Sequence, residues 1–120
     1  MATILIIDDQ ESIRALLRTT LEAEGHEVVE ASNGRIGLDL YRHRPTDVVI
    51  TDILMPELNG LDFLVELTRE FLHAKVIAIS GSGERKNVLD HAKLLGARRT
   101  FQKPFSMTQL LDAVRYELEH

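Results

Sequence analysis

The chain has no cysteine, which excludes disulfides, zinc–thiolate sites and a cysteine nucleophile and suits a reducing cytoplasm. It has no basic excess. Nineteen acidic residues against fourteen Lys and Arg give a net charge of -5, so the domain itself is not expected to grip nucleic acid. No apolar run approaches the roughly 18 residues of a membrane span. The start has no basic stretch before its apolar run and no small-residue cleavage site, so no secretory signal is expected. No glycine-rich phosphate loop follows the first apolar run, and the five histidines do not pair at zinc-ligand spacing. Repeats, low-complexity tracts and internal linkers are also missing. The expected localisation is cytoplasmic, with no membrane partner.

What is present is the pattern of one α/β domain. At 120 residues, 44% hydrophobic and 28% charged, the chain can bury a single core without covalent staples. Short aliphatic runs at Ile4 to Ile7, Glu27 to Ala31, Val48 to Thr51, Val76 to Ile79 and Arg98 to Phe101 read as strands. The first, third and fourth are almost wholly apolar, as central parallel strands covered on both faces should be. Glutamates in the second and arginines in the fifth suit sheet edges.

Helical stripes separate the runs. Ile13, Leu16, Leu17 and Leu21 form the first, closed by Gly25. A second starts at about Arg35 and is stopped by Pro45. Leu61, Leu64, Val65, Leu67 and Phe71 mark the third, and Val88, Ala92 and Leu95 before Gly96 the fourth. Ser106 with Gln109 forms a capping box ahead of Leu110, Leu111, Val114 and Leu118. Five strand–helix units predict a doubly wound parallel sheet in the order 2-1-3-4-5. Leu118, Glu119 and His120 read equally as a natural helix end or as the start of a Leu-Glu-polyhistidine expression tag. The domain is therefore placed at residues 1–117.

The stretch ILIIDDQ, residues 4–10, runs a buried strand into two adjacent carboxylates. Two like charges at about 4 Å cost roughly 4 kcal/mol even at an effective dielectric near 20. In a doubly wound sheet, ligands bind beyond the carboxyl ends of the strands, where the winding reverses. The first strand ends in Asp8 and Asp9, the third in Asp52, the fourth in Ser80, and the fifth runs into Lys103. Singly, an acid there is more often a helix N-cap, a serine a turn residue and a lysine solvated surface. Their joint placement at one crevice is what those readings leave unexplained. Hard carboxylate oxygens with room for water suit Mg²⁺. A lysine suits a phosphate, and a carboxylate beside a metal can attack phosphorus to form an acyl phosphate. Asp52, alone on its strand, is the natural nucleophile.

These stretches, with VVITDILMPELNG at residues 48–60, VIAISGSG at 76–83 and FQKPF at 101–105, resemble the receiver domain of two-component response regulators over essentially the whole chain. The resemblance implies that Asp52 is the phosphoryl acceptor. It implies that Asp9, Asp52 and the Leu54 carbonyl ligate Mg²⁺ directly, with Asp8 holding the metal's waters. Lys103 and Ser80 would contact the phosphoryl group, and Phe101 would be the switch aromatic whose rotation follows Ser80. Met55, Pro56 and Gly60 would shape the loop after the acceptor, and Lys103-Pro104 would be a cis peptide. The implied partners are a sensor histidine kinase or phosphotransfer protein and a downstream output domain or protein. The first helix, with Ile13 and Arg14, would meet the kinase, and the face around the fourth and fifth helices would carry the output. A switch through the loop from Gly81 to Glu84 and the fourth helix is expected. So is slow self-dephosphorylation, because Leu54 and Ser82 cannot hold water strongly in line.

Two departures from the family stand out. Arg98 and Arg99 follow Gly96-Ala97 where acids are common, which puts a charge-linked dimer through that face in doubt. Gly37 stands where alanine is common, at about 1 kcal/mol of helix propensity. The enzyme alternative is a Mg²⁺-dependent phosphatase working through an aspartyl phosphate. That class places its nucleophile at the end of the first strand with a second acid two positions on, where this chain has Gln10.

Overall fold

Branched aliphatics on both faces of a strand demand cover on both sides of the sheet, and the alternation along the first strand shows how it is supplied. The computed structural model describes residues 1–53, 59–81 and 88–120. In β1 (Thr3–Ile7), Leu5 and Ile7 join one buried cluster while Ile4 and Ile6 join the other. The remaining strands are β2 (Glu27–Ala31), β3 (Val48–Asp52), β4 (Val76–Ser80) and β5 (Arg99–Gln102). They form one parallel sheet in the order β2-β1-β3-β4-β5, the expected doubly wound topology.

The helices are α1 (Glu11–Ala23), α2 (Gly34–His43), α3 (Gly60–Glu70), α4 (Val88–Leu94) and α5 (Met107–Glu119). Leu17 and Leu21 of α1 and Leu110, Ala113 and Val114 of α5 cover one face. Leu38 and Tyr41 of α2, Phe63, Leu64 and Leu67 of α3, and Val88 and Ala92 of α4 cover the other. Each fully buried aliphatic contributes about 1.5–3 kcal/mol of apolar transfer, which commits both layers. Among the described residues, no helix is long and apolar enough to cross a membrane.

The differences from the sequence reading are small and local. The fifth strand begins at Arg99, because the Arg98 N–H bonds to the Val76 carbonyl before the ladder proper. Phe71 and Leu95 lie just past the ends of α3 and α4, each donating its N–H back to the preceding turn. Asn33 is an unforeseen N-cap for α2, accepting from the Ile36 N–H at 2.9 Å. Ser106 accepts from the Gln109 N–H at 3.2 Å, as its spacing predicts. Gly25 adopts φ 91 as the residue ending α1.

Gly37 now has a physical reason. A Cβ there would come within 2.4 Å of Ile7 Cδ1. Glycine at this point lets α2 lie against the Ile7 side chain as placed, and any Cβ would require that side chain to shift; Ile7 immediately precedes the acid pair.

Candidate functional site

Parallel register sets the strand ends on one rim. Asp52 is level with Ile79, Ile79 with Phe101, and Ser80 with Gln102, while Ile7 is level with Thr51. The residues at or just beyond these ends, Asp8, Asp9, Asp52, Ser80 and Lys103, thus meet where β1 and β3 diverge toward their helices. Asp8, Asp52 and Ser80 are buried, at 2%, 6% and 3% exposure, while Asp9 is exposed.

Carboxylate oxygens of Asp8, Asp9 and Asp52 lie within 4.8 Å of one another. The Lys103 ammonium reaches in from beyond β5, donating to Asp52 Oδ2 at 3.1 Å and standing 3.6 Å from Asp8 Oδ2. The Lys103-Pro104 peptide is cis, as expected. The Lys103 N–H donates to the Ser80 carbonyl at 2.7 Å, tying the end of β4 to the same turn.

Electrostatics here are out of balance. Burial pushes the Asp8 carboxyl up to about 6; a hydrogen bond from the Gln10 N–H opposes the rise, the Asp52 charge adds to it, Lys103 opposes it and Asp9 adds to it. Burial works against the charge on Lys103, but Asp52 and Asp8 outweigh it and raise the ammonium's pKa. Among the described residues, Lys103 is the cation within ion-pair distance of this cluster, at Asp8 and Asp52.

The converging oxygens are the geometry against which a metal can be tested. Two ligand oxygens on opposite sides of Mg²⁺ are at most about 4.2 Å apart, twice the ~2.1 Å bond. A 4.8 Å span accommodates direct bonds from part of the set and a water-bridged link from the rest, which is how Mg²⁺ is commonly held. The donors are all hard oxygens. The residues fit the ion.

Gly60, at the start of α3, approaches the acceptor strand closely. A Cβ there would fall 2.4 Å from the Asp52 carbonyl oxygen and 2.6 Å from Ile53 Cα. Its N–H bonds to the Ile53 carbonyl at 2.7 Å. Phe101 is half-buried, with its ring centroid 6.3 Å from that of Phe105. Leu54, Met55, Pro56, Ser82, Gly83 and Glu84 lie outside the described residues. The expected carbonyl ligand, the loop after the acceptor and most of the switch loop lie with them.

Two features were missed in the sequence. Arg14, expected at a docking surface, turns inward: its Nη1 donates to the Asp8 carbonyl at 2.6 Å and its Nε to Glu30 at 3.1 Å. The available signal was Arg14 and Arg18 four apart on α1, opposite the glutamate of the edge strand. The outward side of α1 is instead Leu16, 53% exposed, which lines a groove of about 430 Å³ with Ile13, Lys103, Pro104, Phe105 and Met107. The second is Glu117, a buried acid seven residues after Leu110 and three after Val114, on the apolar stripe of α5. Arg98 and Arg99 face it, each at 3.6 Å, so these arginines are engaged within their own chain.

Fold and rim together define a class: doubly wound α/β domains with a carboxylate-lined crevice at the switch point. The sequence pattern described as the response regulator receiver domain matches residues 4–115. The chain is 35% identical over 112 residues to the chemotaxis protein CheY of Thermotoga maritima, covering 92% of each chain. It is 34% identical to sporulation initiation phosphotransferase F of Bacillus subtilis, covering 93% of this chain and 90% of that one. A response regulator receiver domain protein from Clostridium thermocellum superposes with a TM-score of 0.90 at 35% identity, over 99% of this chain and 95% of that one. NtrX from Brucella abortus superposes with a TM-score of 0.91 at 32% identity, over 98% of this chain and 27% of its own. The chain belongs to the response regulator receiver domain family, a family of signalling modules.

Proposed function

We propose that the chain accepts a phosphoryl group on Asp52 from a histidine kinase or phosphotransfer protein and passes the signal on by changing shape. The observation that carries this reading is the Asp52 carboxylate held 3.1 Å from Lys103 beside two further acids. An Asp52 carboxylate oxygen attacks phosphorus as the bond to the donor's imidazole nitrogen breaks. The electron pair leaves with that nitrogen, which then takes a proton. Lys103 moves from balancing Asp52 to balancing the added phosphoryl charge. Asp8, Asp9 and Asp52, with the Leu54 carbonyl, would hold Mg²⁺, which when bound supplies positive charge to the transferring oxygens. Ser80 would then donate to a phosphoryl oxygen, and Phe101 would turn as Ser80 moves.

The donor docks, on this reading, in the groove between α1 and the segment after β5, because Lys103 lines that groove and also reaches the acceptor. The output domain or protein reads the face around α4 and α5, in the cytoplasm. Decay of the phosphoryl group is slow, since neither Leu54 nor Ser82 can orient water as a carboxylate or amide would. Leu54→Asn should shorten the lifetime of purified phosphoprotein.

A phosphohistidine-bearing kinase fragment tests the reading directly. Transfer of label to the wild-type chain and none to Asp52→Asn is the expected result. Equal labelling of that variant overturns the assignment. Leu16→Glu should slow transfer from the fragment while leaving transfer from a small acyl phosphate intact.

A further inference from the structure

The Asp8–Asp9 peptide is where strand geometry must stop and metal geometry must begin, and its surroundings are asymmetric. On one side the Asp8 N–H donates to the Ala31 carbonyl at 3.1 Å, prolonging the β1–β2 ladder by one bond. The Asp8 side chain accepts from the Gln10 N–H at 2.9 Å. Its carbonyl receives Arg14 Nη1 at 2.6 Å, from the first turn of α1. A charged donor to a carbonyl is among the stronger hydrogen bonds, and the planar guanidinium fixes direction as well as distance.

Arg14 is itself held. Its Nε donates to Glu30 Oε1 at 3.1 Å, and its side chain is 16% exposed. Glu30 is shared with Arg18, whose Nη1 pairs with the other carboxylate oxygen and whose Nη2 donates to the Val28 carbonyl at 3.1 Å. The two arginines thus share an anchor but differ in reach. Arg18 ties α1 to the edge strand only, whereas Arg14 continues to the peptide that orients both acids.

We infer that Arg14 is a positioning residue for the metal site, clamping the Asp8 carbonyl so that the Asp8 and Asp9 carboxylates are presented together to a divalent cation. The inference rests on the metal-binding reading of that rim. The Asp8 carbonyl sits between the two ligand residues where the chain leaves β1, so holding it adds a third restraint, beside the bonds of the Asp8 N–H and side chain, on how the chain turns there. Partners behind metal ligands commonly govern affinity in this way.

Mn²⁺, another hard octahedral cation, provides a readout independent of phosphoryl transfer through the loss of its free-ion electron paramagnetic resonance signal. Arg14→Met should weaken Mn²⁺ binding about tenfold or more, the range seen for such outer partners. Arg18→Met, which removes the other Glu30 partner, should stay within about twofold of wild type, while both variants should be less stable in urea unfolding. Binding by Arg14→Met within that twofold overturns the inference, as does equal weakening in Arg18→Met. Should Arg14→Met not fold, Arg14→Lys decides on the same criteria, because one ammonium cannot hold both the Asp8 carbonyl and Glu30 in the same geometry. A wild-type protein that takes up no Mn²⁺ overturns the metal reading and this inference together.

Discussion

Two clusters among the described residues bury carboxylates beside cations, and they are built from opposite majorities. At the rim beyond β1 and β3, Asp8, Asp9 and Asp52 lie together, with the Lys103 ammonium beside Asp8 and Asp52. At the edge strand, the one carboxylate of Glu117 faces Arg98 and Arg99, and its backbone carbonyl accepts from Lys75. The Glu117 cluster carries its cations within the chain and ties α5 to β5 through ion pairs at 3.6 Å, with Glu117 Oε1 accepting no hydrogen bond among the described residues. Among the described residues the rim gathers three acids whose oxygens lie within 4.8 Å of one another, a hard-oxygen donor set that suits a divalent cation. A buried carboxylate is therefore a poor indicator of function on its own; several acids converging on one point are the better one.

The sharpest way to break the comparison is to remove one acid from each cluster. Asp8→Asn should stabilise the metal-free protein near neutral pH by about 3 kcal/mol, the cost implied by a carboxyl raised from 3.8 to about 6. It should also abolish Mg²⁺-dependent stabilisation in thermal melts. Glu117→Ala should have the opposite sign, a loss of about 2 kcal/mol in urea unfolding. That figure lies below the usual cost of breaking a buried pair, because Arg98 and Arg99 are part-exposed and can rehydrate.

Acidity gives the next effect. The folded chain holds the Asp8 proton more tightly than the unfolded chain does. Its contribution is therefore fully present below pH 3.8 and is lost as pH rises through about 6. In that window metal-free stability should fall by up to about 1.4 kcal/mol per pH unit from this group. Below about pH 6, protons should compete with Mg²⁺, and affinity measured by titration should drop as pH falls. The smallest effect belongs to the other cluster. Arg98→Ala and Arg99→Ala should each cost under about 1 kcal/mol, because their side chains are 37% and 42% exposed.

The rim was legible in the sequence because topology alone brings strand ends together. Once the runs ending at Ile7, Asp52, Ser80 and Gln102 are parallel and in order, their last residues must share an edge. Lys103 came with the same reading, whereas its cis bond to Pro104 was expected from the resemblance to the receiver family. Contacts that depend on how a helix is rotated were not legible. Whether Arg14 points to solvent or to the Asp8 carbonyl is a matter of one turn's orientation on β2, and periodicity placed it only near the helix start. Glu117 was hidden for the same reason, since a charge on an apolar stripe is readable only with its partners. Gly37 was visible as an oddity, but its cause, Ile7 2.4 Å from where a Cβ would be, is a packing distance.

On the proposed function, the acidic rim receives a divalent cation and then a phosphoryl group on Asp52. Purified chain incubated with a small acyl phosphate, with and without Mg²⁺, followed by intact mass and peptide mapping, tests this most directly. The account predicts a single added phosphoryl group, on Asp52, formed only when Mg²⁺ is present. Modification at another residue, equal modification without the metal, or no modification at all would contradict it.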